Sequence, residues 1–140
     1  MAFEGSQPVK LQGAVAGADL SASSTQYKFV KYNGTDNQVV LCAATTDVPA
    51  GVLQAPAPSS AVGTPVEVLC VGVTKIQISG ALTSGLTIGT DANARARSNV
   101  AGTDTTKYIV GQYMATPGGG SAAGDYGTAV VNCASPCRAA

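Results

Sequence analysis

Hydrophobic and polar residues alternate over short stretches of this chain, and a period of two is typical of β-strands. QYKFVKY at residues 26–32 alternates in this way. The turn-forming pair Asn33 and Gly34 separates it from NQVVLCA at residues 37–43. Since Asn-Gly between two apolar runs is a strong hairpin signal, the pattern predicts a β-hairpin here.

The longest alternating run is PVEVLCVGVTKIQIS at residues 65–79, which is rich in Val and Ile and sparsely charged. Its period of two predicts one long strand. Gly72 lies in the middle and permits a bend or bulge. A strand this long with so few charges raises the question of what covers it.

Further strands are predicted at residues 85–89, 107–115 and 126–132. Gly, Pro, Asn and Asp mark the loops between them, at residues 90–93 and 117–125. TDANARARS at residues 90–98 has helix-favouring Ala and Arg but is long enough for one helical turn at most. Short strands separated by loops rich in Gly, Pro, Asn and Asp predict an all-β sandwich or small barrel, formed by residues 26–132.

The two ends of the chain differ from this central part. The first 25 residues include QGAVAGADLSASS, which is made of small and polar residues, and Phe3 is the only aromatic residue among them. This composition predicts an extended N-terminal arm that lies against another subunit or stays mobile. Residues 133–140 are expected to form a C-terminal tail.

Composition points to a single domain with few charges. The 140 residues suit one domain, and with 5% aromatic residues and no Trp the core should be built from Val, Ile and Leu. Charged residues make up 11% of the chain and balance to a formal net charge of zero. Soluble domains usually have about 25%. This predicts no nucleic-acid binding, which needs clustered basic charge, and it favours a surface covered by partners.

Segments that would target the chain to a membrane are not expected. No apolar run approaches the ~18 residues of a membrane-spanning helix. MAFEGSQPVK at the N-terminus lacks the basic and then apolar regions of a secretory signal. We therefore expect synthesis in a cytoplasm and no membrane partner.

The chain contains four cysteines, at positions 42, 70, 133 and 137. Cys42 and Cys70 lie inside apolar runs and are expected to be buried free thiols. Cys133 and Cys137 flank a proline in CASPC, where a local disulfide, a contact between chains and free thiols all stay open. The spacing lacks paired CxxC knuckles, so no zinc site is predicted.

Catalytic signatures are largely missing. The chain contains no His, the commonest general base and metal ligand. Asp91, Asp104 and Asp125 fall in predicted loops, where they could gather for calcium or glycosidase chemistry. Loop aspartates more often stabilise turns through their own hydrogen bonds. The sequence therefore predicts a protein that is not an enzyme and has no cofactor and no metal site.

The order of several motifs carries a family resemblance, clearest from about residue 26 to residue 132. These motifs are DVPAGVLQ, GTPVEVLCVGVTKIQISG, LTSGLTIGTDANARA and YIVGQYMATPGGGSAAGDYGTAVVN. The residues that match are Pro49, Gly51, Val52, Gly63, Val66, Val68, Gly85, Asp91, Val110, Gly111, Val130 and Val131. In this order they resemble the capsid decoration, or cement, proteins of tailed double-stranded DNA bacteriophages. The chain departs from the family pattern after Asp91, where a glycine is often found, and in CASPC.

This resemblance implies a structural virion protein with a small β-barrel or β-tulip-like sandwich fold. Such a protein would bind the outer surface of the mature capsid, cement neighbouring major capsid protein subunits and thereby stabilise the capsid. A homotrimer is favoured and a dimer is the alternative. The protein would be made in the host bacterial cytoplasm. Candidate capsid contacts are Phe3, Glu4, Gln7 and Lys10 in the arm and Arg95 and Arg97 in a loop.

A different class of function remains as an alternative, a surface-displayed carbohydrate-binding or adhesin-like β-domain. Its usual mark is a platform of exposed aromatic side chains. Tyr108, Tyr113 and Tyr126 on one exposed face would indicate such a platform. A hydrolase, which would need paired carboxylates in a pocket, is the third alternative.

Overall fold

The computed structural model describes residues 8–116 and 121–140, and its regular elements are almost entirely β-strands. The strands are β1 (Val9–Lys10), β2 (Val15–Ala16), β3 (Phe29–Tyr32), β4 (Gln38–Leu41), β5 (Gly51–Leu53), β6 (Val68–Gln77), β7 (Thr87–Thr90), β8 (Ala96–Ser98), β9 (Tyr108–Ile109), β10 (Gly111–Ala115), β11 (Tyr126–Asn132) and β12 (Cys137–Arg138). A 3-10 turn at Ser23–Thr25 is the one helical element of the described residues. No helix in this part of the chain could cross a bilayer. The prediction of an all-β fold is confirmed.

Ten strands form one sheet that curls into a sandwich. Its order is β2-β4-β3-β5-β6-β11-β10-β7-β8, and β1 pairs with β6 outside this path. All pairs are antiparallel except the parallel pair of β2 and β4. The end strands β2 and β8 do not pair with each other, so the sheet is open and not a closed barrel. β9 and β12 form a separate two-stranded ribbon.

The predicted hairpin and long strand are both present. β3 and β4 pair in antiparallel register through Lys31 and Val40, and residues 33–37 form the turn. β6 has ten residues, and its ladder with β11 continues through Gly72. The irregularity lies in the pairing of β6 with β1, where the register shifts between Val9 and Lys10.

Two predicted elements differ from the structure. The strand expected at residues 107–115 is divided at Val110 into β9 and β10, which pair with different partners. The region at residues 90–98 forms a tight turn in which Ala94 has a φ of +62°, followed by strand β8. A helical turn does not form because β8 pairs with β7 instead.

The main core lies inside the curled sheet. Its buried side chains come from both halves of the chain and are Phe29, Cys42, Val52, Leu69, Cys70, Ile76, Ile78, Ile88, Ala94, Ala96, Val110, Tyr113, Ala129, Val131 and Cys133. Val, Ile and Leu, which composition predicted as the core, supply seven of these fifteen residues, and Ala, Cys, Phe29 and Tyr113 supply the rest. Burial of this apolar surface is the main term that stabilises the fold.

A second core lies on the opposite face of β3, β4 and β5. Its buried members are Ala14, Ala16, Leu20, Val30, Val39, Leu53, Ala57 and Val68. Phe29 faces the main core and the next residue, Val30, faces this one. Both faces of β3 are therefore buried at its start, whereas Tyr32 at its end is exposed.

The N-terminal segment covers the second core from residue 8 onward, so residues 8–25 are not the extended arm that the sequence predicted. β1 pairs with β6, β2 pairs with β4, and Leu20 is fully buried. Small side chains such as Ala16 let this segment approach the sheet closely, so it needs no bulky anchor. Residues 1–7 lie outside the described residues.

The C-terminal segment also belongs to the fold and is not a free tail. β12 pairs with β9, the Ala139 amide donates to the Lys107 carbonyl at 2.9 Å, and Ala139 is buried. These backbone pairings depend on residues distant in sequence, which is why local composition did not reveal them. Within the described residues the fold therefore extends from residue 8 to residue 140.

Candidate functional site

The outward side of β6 and β11 exposes apolar side chains to solvent. Residues opposite each other in an antiparallel ladder share a face. Val73 lies opposite Val130, and Val9 lies opposite Val71. Val73 is 58% exposed and Val130 is 42% exposed. We call exposed Val9, Val73 and Val130, together with half-buried Val71, which also packs against the main core, the valine face.

Uncharged polar side chains surround the valine face. Gln112 lies opposite Val130 on β10, and Asn132 lies opposite Val71 on β6. At one end, Thr128 lies opposite Lys75, which is the one charged residue in the β6–β11 ladder. This answers the question raised by the long strand: the two cores of the chain itself cover most of its side chains, and within β6 only Val73 and Lys75 are exposed.

The structure separates the candidate contact residues into two places. Lys10 on β1 forms an exposed ion pair with Glu67. Arg95 and Arg97 lie together on the turn and strand that follow β7. Their partners are acidic residues of the same region: Arg95 Nε lies 3.1 Å from Asp91, and Arg97 lies 3.4 Å from Asp104. Phe3, Glu4 and Gln7 lie outside the described residues, and the capsid-contact role of all six residues stays a prediction.

The loop aspartates hold turns. Asp91 Oδ1 accepts hydrogen bonds from the amides of Asn93 and Arg95, both at 2.8 Å. Asp104 accepts from the Val100 amide at 2.8 Å and from Lys107, and these hydrogen bonds lower the pKa of its carboxyl. Asp125 accepts from the Ala122 amide at 2.8 Å. Each carboxylate has the turn-stabilising role that short polar side chains commonly take.

Metal ligands do not cluster in residues 8–116 and 121–140, where no three Cys, Asp or Glu residues are placed to hold an ion. All four cysteines are free thiols, so no disulfide links Cys133 and Cys137. Burial raises the pKa of Cys42 and of Cys133 to about 12. Cys137 is exposed on β12.

A groove lies at the end of the β6–β11 ladder that is farther from Val9. It has a volume of about 460 Å³ and is lined by Gln26, Tyr27, Lys75, Tyr126, Gly127 and Thr128. The rings of Tyr27 and Tyr126 meet at 87° with centroids 5.8 Å apart, and Lys75 Nζ lies 5.9 Å from the centre of the Tyr27 ring. We call this the tyrosine groove.

The tyrosine groove is not the aromatic platform that the sequence suggested. Tyr113 is 1% exposed and packs in the main core, so Tyr108, Tyr113 and Tyr126 do not share an exposed face. Tyr27 takes part instead. The sequence places Tyr27 in a strand, whereas its φ of +61° takes it out of the regular strand geometry. No local sequence signal reveals its meeting with Tyr126.

The fold is an all-β sandwich, and comparison with solved structures finds a similar fold in a bacteriophage head fiber protein. No protein-family model matches the chain, and no curated protein matches it. Among solved structures it is similar to the N base of head fiber gp8.5 of bacteriophage phi29. The TM-score is 0.62 at 16% sequence identity, and the match covers 91% of this chain and 96% of that one. The likeness shows the fold.

Proposed function

We propose that this protein is a bacteriophage decoration protein that binds the outer surface of the mature capsid and cements neighbouring major capsid protein subunits. Two independent likenesses support a virion role. The fold is similar to that of a phage head fiber base. The motif order resembles that of capsid decoration proteins. The role is structural and requires no catalysis.

The valine face is the observation that carries the proposal. Exposed Val73 and Val130 lie side by side on a nearly uncharged strand pair. Covering such side chains would contribute about 25 cal/mol for each Å² of apolar surface removed from water. Because the face has no cluster of like charges, it can meet a second copy of the chain without electrostatic repulsion. We assign it to contacts between copies in a homo-oligomer, with a trimer favoured.

Capsid contacts are assigned to the N-terminal end of the domain. Residues 1–7 precede β1 and join the domain beside Val9 and Lys10, which are both exposed. Each contact can be modest, because an oligomer that engages several capsid subunits at once gains affinity through multivalency. Binding that occurs only on the expanded lattice would stabilise that lattice by mass action.

The test compares a charge on the valine face with the same charge elsewhere. Val130→Lys places an ammonium in the proposed contact, whereas Val62→Lys alters a valine in a loop that is also solvent-exposed. We expect the wild-type chain and Val62→Lys to form the same oligomer in light scattering behind size exclusion. Val130→Lys should be monomeric and should co-sediment less with expanded capsids of the parent phage.

Deletion of residues 1–7 tests the capsid contact separately. The deletion stops before β1, because β1 pairs with β6 and its loss would disturb the fold. We expect an unchanged oligomer and weaker co-sedimentation. A wild-type chain that is monomeric and does not co-sediment with expanded capsids would contradict the proposed function.

A further inference from the structure

The tyrosine groove combines aromatic walls with polar groups. The Tyr27 and Tyr126 rings are nearly perpendicular, so they form two walls that meet at an angle. Tyr126 is 46% exposed. Aromatic side chains offer an apolar face together with a polar hydroxyl, and the CH face of a sugar ring can pack on such a surface. The volume of about 460 Å³ is within the usual range of small-ligand sites.

The charge of the groove selects the kind of ligand. Its lining contains Lys75 and no carboxylate. Among the described residues, the five ion pairs do not include Lys75. Asp125 precedes Tyr126 in the chain, but its carboxylate accepts from the Ala122 amide in its own turn. An ammonium without a carboxylate partner at an open groove favours an anionic group on the ligand.

The walls of the groove are held in place before any ligand binds. Tyr27 has a φ of +61°, a conformation that bulky residues rarely adopt. Its amide donates to the Leu53 carbonyl at 2.7 Å, and its carbonyl accepts from the Gln77 amide at 2.9 Å. Gln77 Nε2 also donates to the Gln26 carbonyl at 2.9 Å. This network fixes both residues of one wall, so little ordering is needed on binding.

We propose that the tyrosine groove binds a saccharide that carries an acidic group. The sugar ring packs against Tyr126, the acidic group pairs with Lys75, and sugar hydroxyls donate to Gln26 Oε1. Gln26 Nε2 already donates to the Gln54 carbonyl at 2.9 Å, which leaves Oε1 as the acceptor. The groove shares no residue with the valine face, although the two adjoin, because Lys75 lies two residues from Val73 on β6, about 7 Å along the strand.

The experiment titrates the protein with trigalacturonate and with its fully methyl-esterified form, in which uncharged methyl esters replace the three carboxylates. Binding is followed by amide and tyrosine-ring chemical shifts in NMR. We expect saturable shifts near Tyr126 and Thr128 with trigalacturonate, with a Kd of about 1 mM for so open a site. The methyl ester should bind at least about tenfold more weakly.

Three variants locate the site. Lys75→Met keeps the aliphatic stem and removes the charge, so it should weaken trigalacturonate binding by about tenfold. Tyr126→Ala should abolish it. Tyr32→Ala is the control, because Tyr32 is equally exposed but does not line this groove. Absence of saturable shifts at about 20 mM ligand, or equal binding of acid and ester, overturns the inference. Should Tyr126→Ala fail to fold, Lys75→Met decides the question alone.

Discussion

Two neighbouring valines of β11 have opposite environments although their side chains are identical. Val131 is fully buried in the main core, whereas Val130 is 42% exposed on the valine face. The difference arises because successive side chains of a strand point to opposite sides of the sheet. One valine therefore contributes to folding, and the other remains available for binding.

The contrast extends to their partners across the ladders. Val131 lies opposite Gly72 on β6 and Gly111 on β10, and a Cβ at Gly111 would overlap with the Val130 carbonyl oxygen. The inner side is thus closely packed and intolerant of added atoms. Val130 lies between Val73 and Gln112, where added atoms would extend into solvent. Residue type alone does not distinguish a core position from a contact position in this sheet.

Truncating each valine to alanine should give the largest difference in stability. Val131→Ala removes two buried methyl groups and leaves a cavity, so we expect a loss of about 2 kcal/mol in the free energy of unfolding. Val130→Ala should change it by less than about 0.5 kcal/mol, because the side chain is already half exposed. Urea unfolding of the monomeric species measures both. Equal losses for the two variants would show that Val130 is also covered in the isolated chain.

The strands that carry this contrast could be predicted from sequence. The pattern YGTAVVN gives β11 with its observed ends, and the Val-rich alternation gives β6 within a longer predicted run. The Asn33–Gly34 turn signal locates the first hairpin. In each case the signal, a period of two or a turn residue, lies within a few neighbouring positions, so the local sequence is enough to predict the element.

The N-terminal cover could not be predicted in the same way. Ala14 and Ala16 are buried only because β3 and β4 lie beneath them, and a small residue gives no sign of whether it faces protein or water. β1 and β2 have two residues each and exist through pairing with distant strands. The tyrosine groove is similar, since Tyr27 and Tyr126 meet through tertiary structure. Composition also led to the expectation of an extended arm, lying against another subunit or mobile, where residues 8–25 form a packed segment.

The valine face has no charged side chain, whereas elsewhere on the surface charged side chains contribute to stability. Asp47 is an example. Asp47 Oδ1 accepts from Lys31 at 2.8 Å, and Oδ2 accepts from the amides of Ala43 at 2.8 Å and Ala44 at 3.0 Å. Burial by itself would raise the pKa of this carboxyl. The hydrogen bonds outweigh burial, so the folded pKa lies below the ordinary value of 3.8.

Asp47→Asn should therefore have a moderate, pH-dependent effect. A lowered folded pKa means that the stabilisation is fully present above the unfolded pKa and is lost as pH falls through the folded pKa. We expect the variant to be about 1 kcal/mol less stable at pH 7 and to lose less stability than the wild type between about pH 4 and pH 2. Asp36→Asn, in the exposed turn between β3 and β4, is the control. Parallel pH profiles for wild type and Asp47→Asn would contradict the assignment.

Substituting the cysteines should have the smallest effect on stability. Two cysteines near the C-terminus differ in burial, as Val131 and Val130 do, and they should therefore differ in reactivity. Cys133 lies in the main core, whereas Cys137 is exposed on β12. Thiolates are the reactive form, and burial together with a pKa of about 12 keeps Cys133 and Cys42 protonated near neutral pH.

Maleimide at pH 7 should label one thiol per native chain and all four after unfolding, counted by mass spectrometry. Cys137→Ser should abolish the native label without changing the unfolding midpoint. Rapid native labelling of a second thiol would mean that the strands around Cys133 open readily, and that the inner side of β11 is less protected than the buried Val131 indicates.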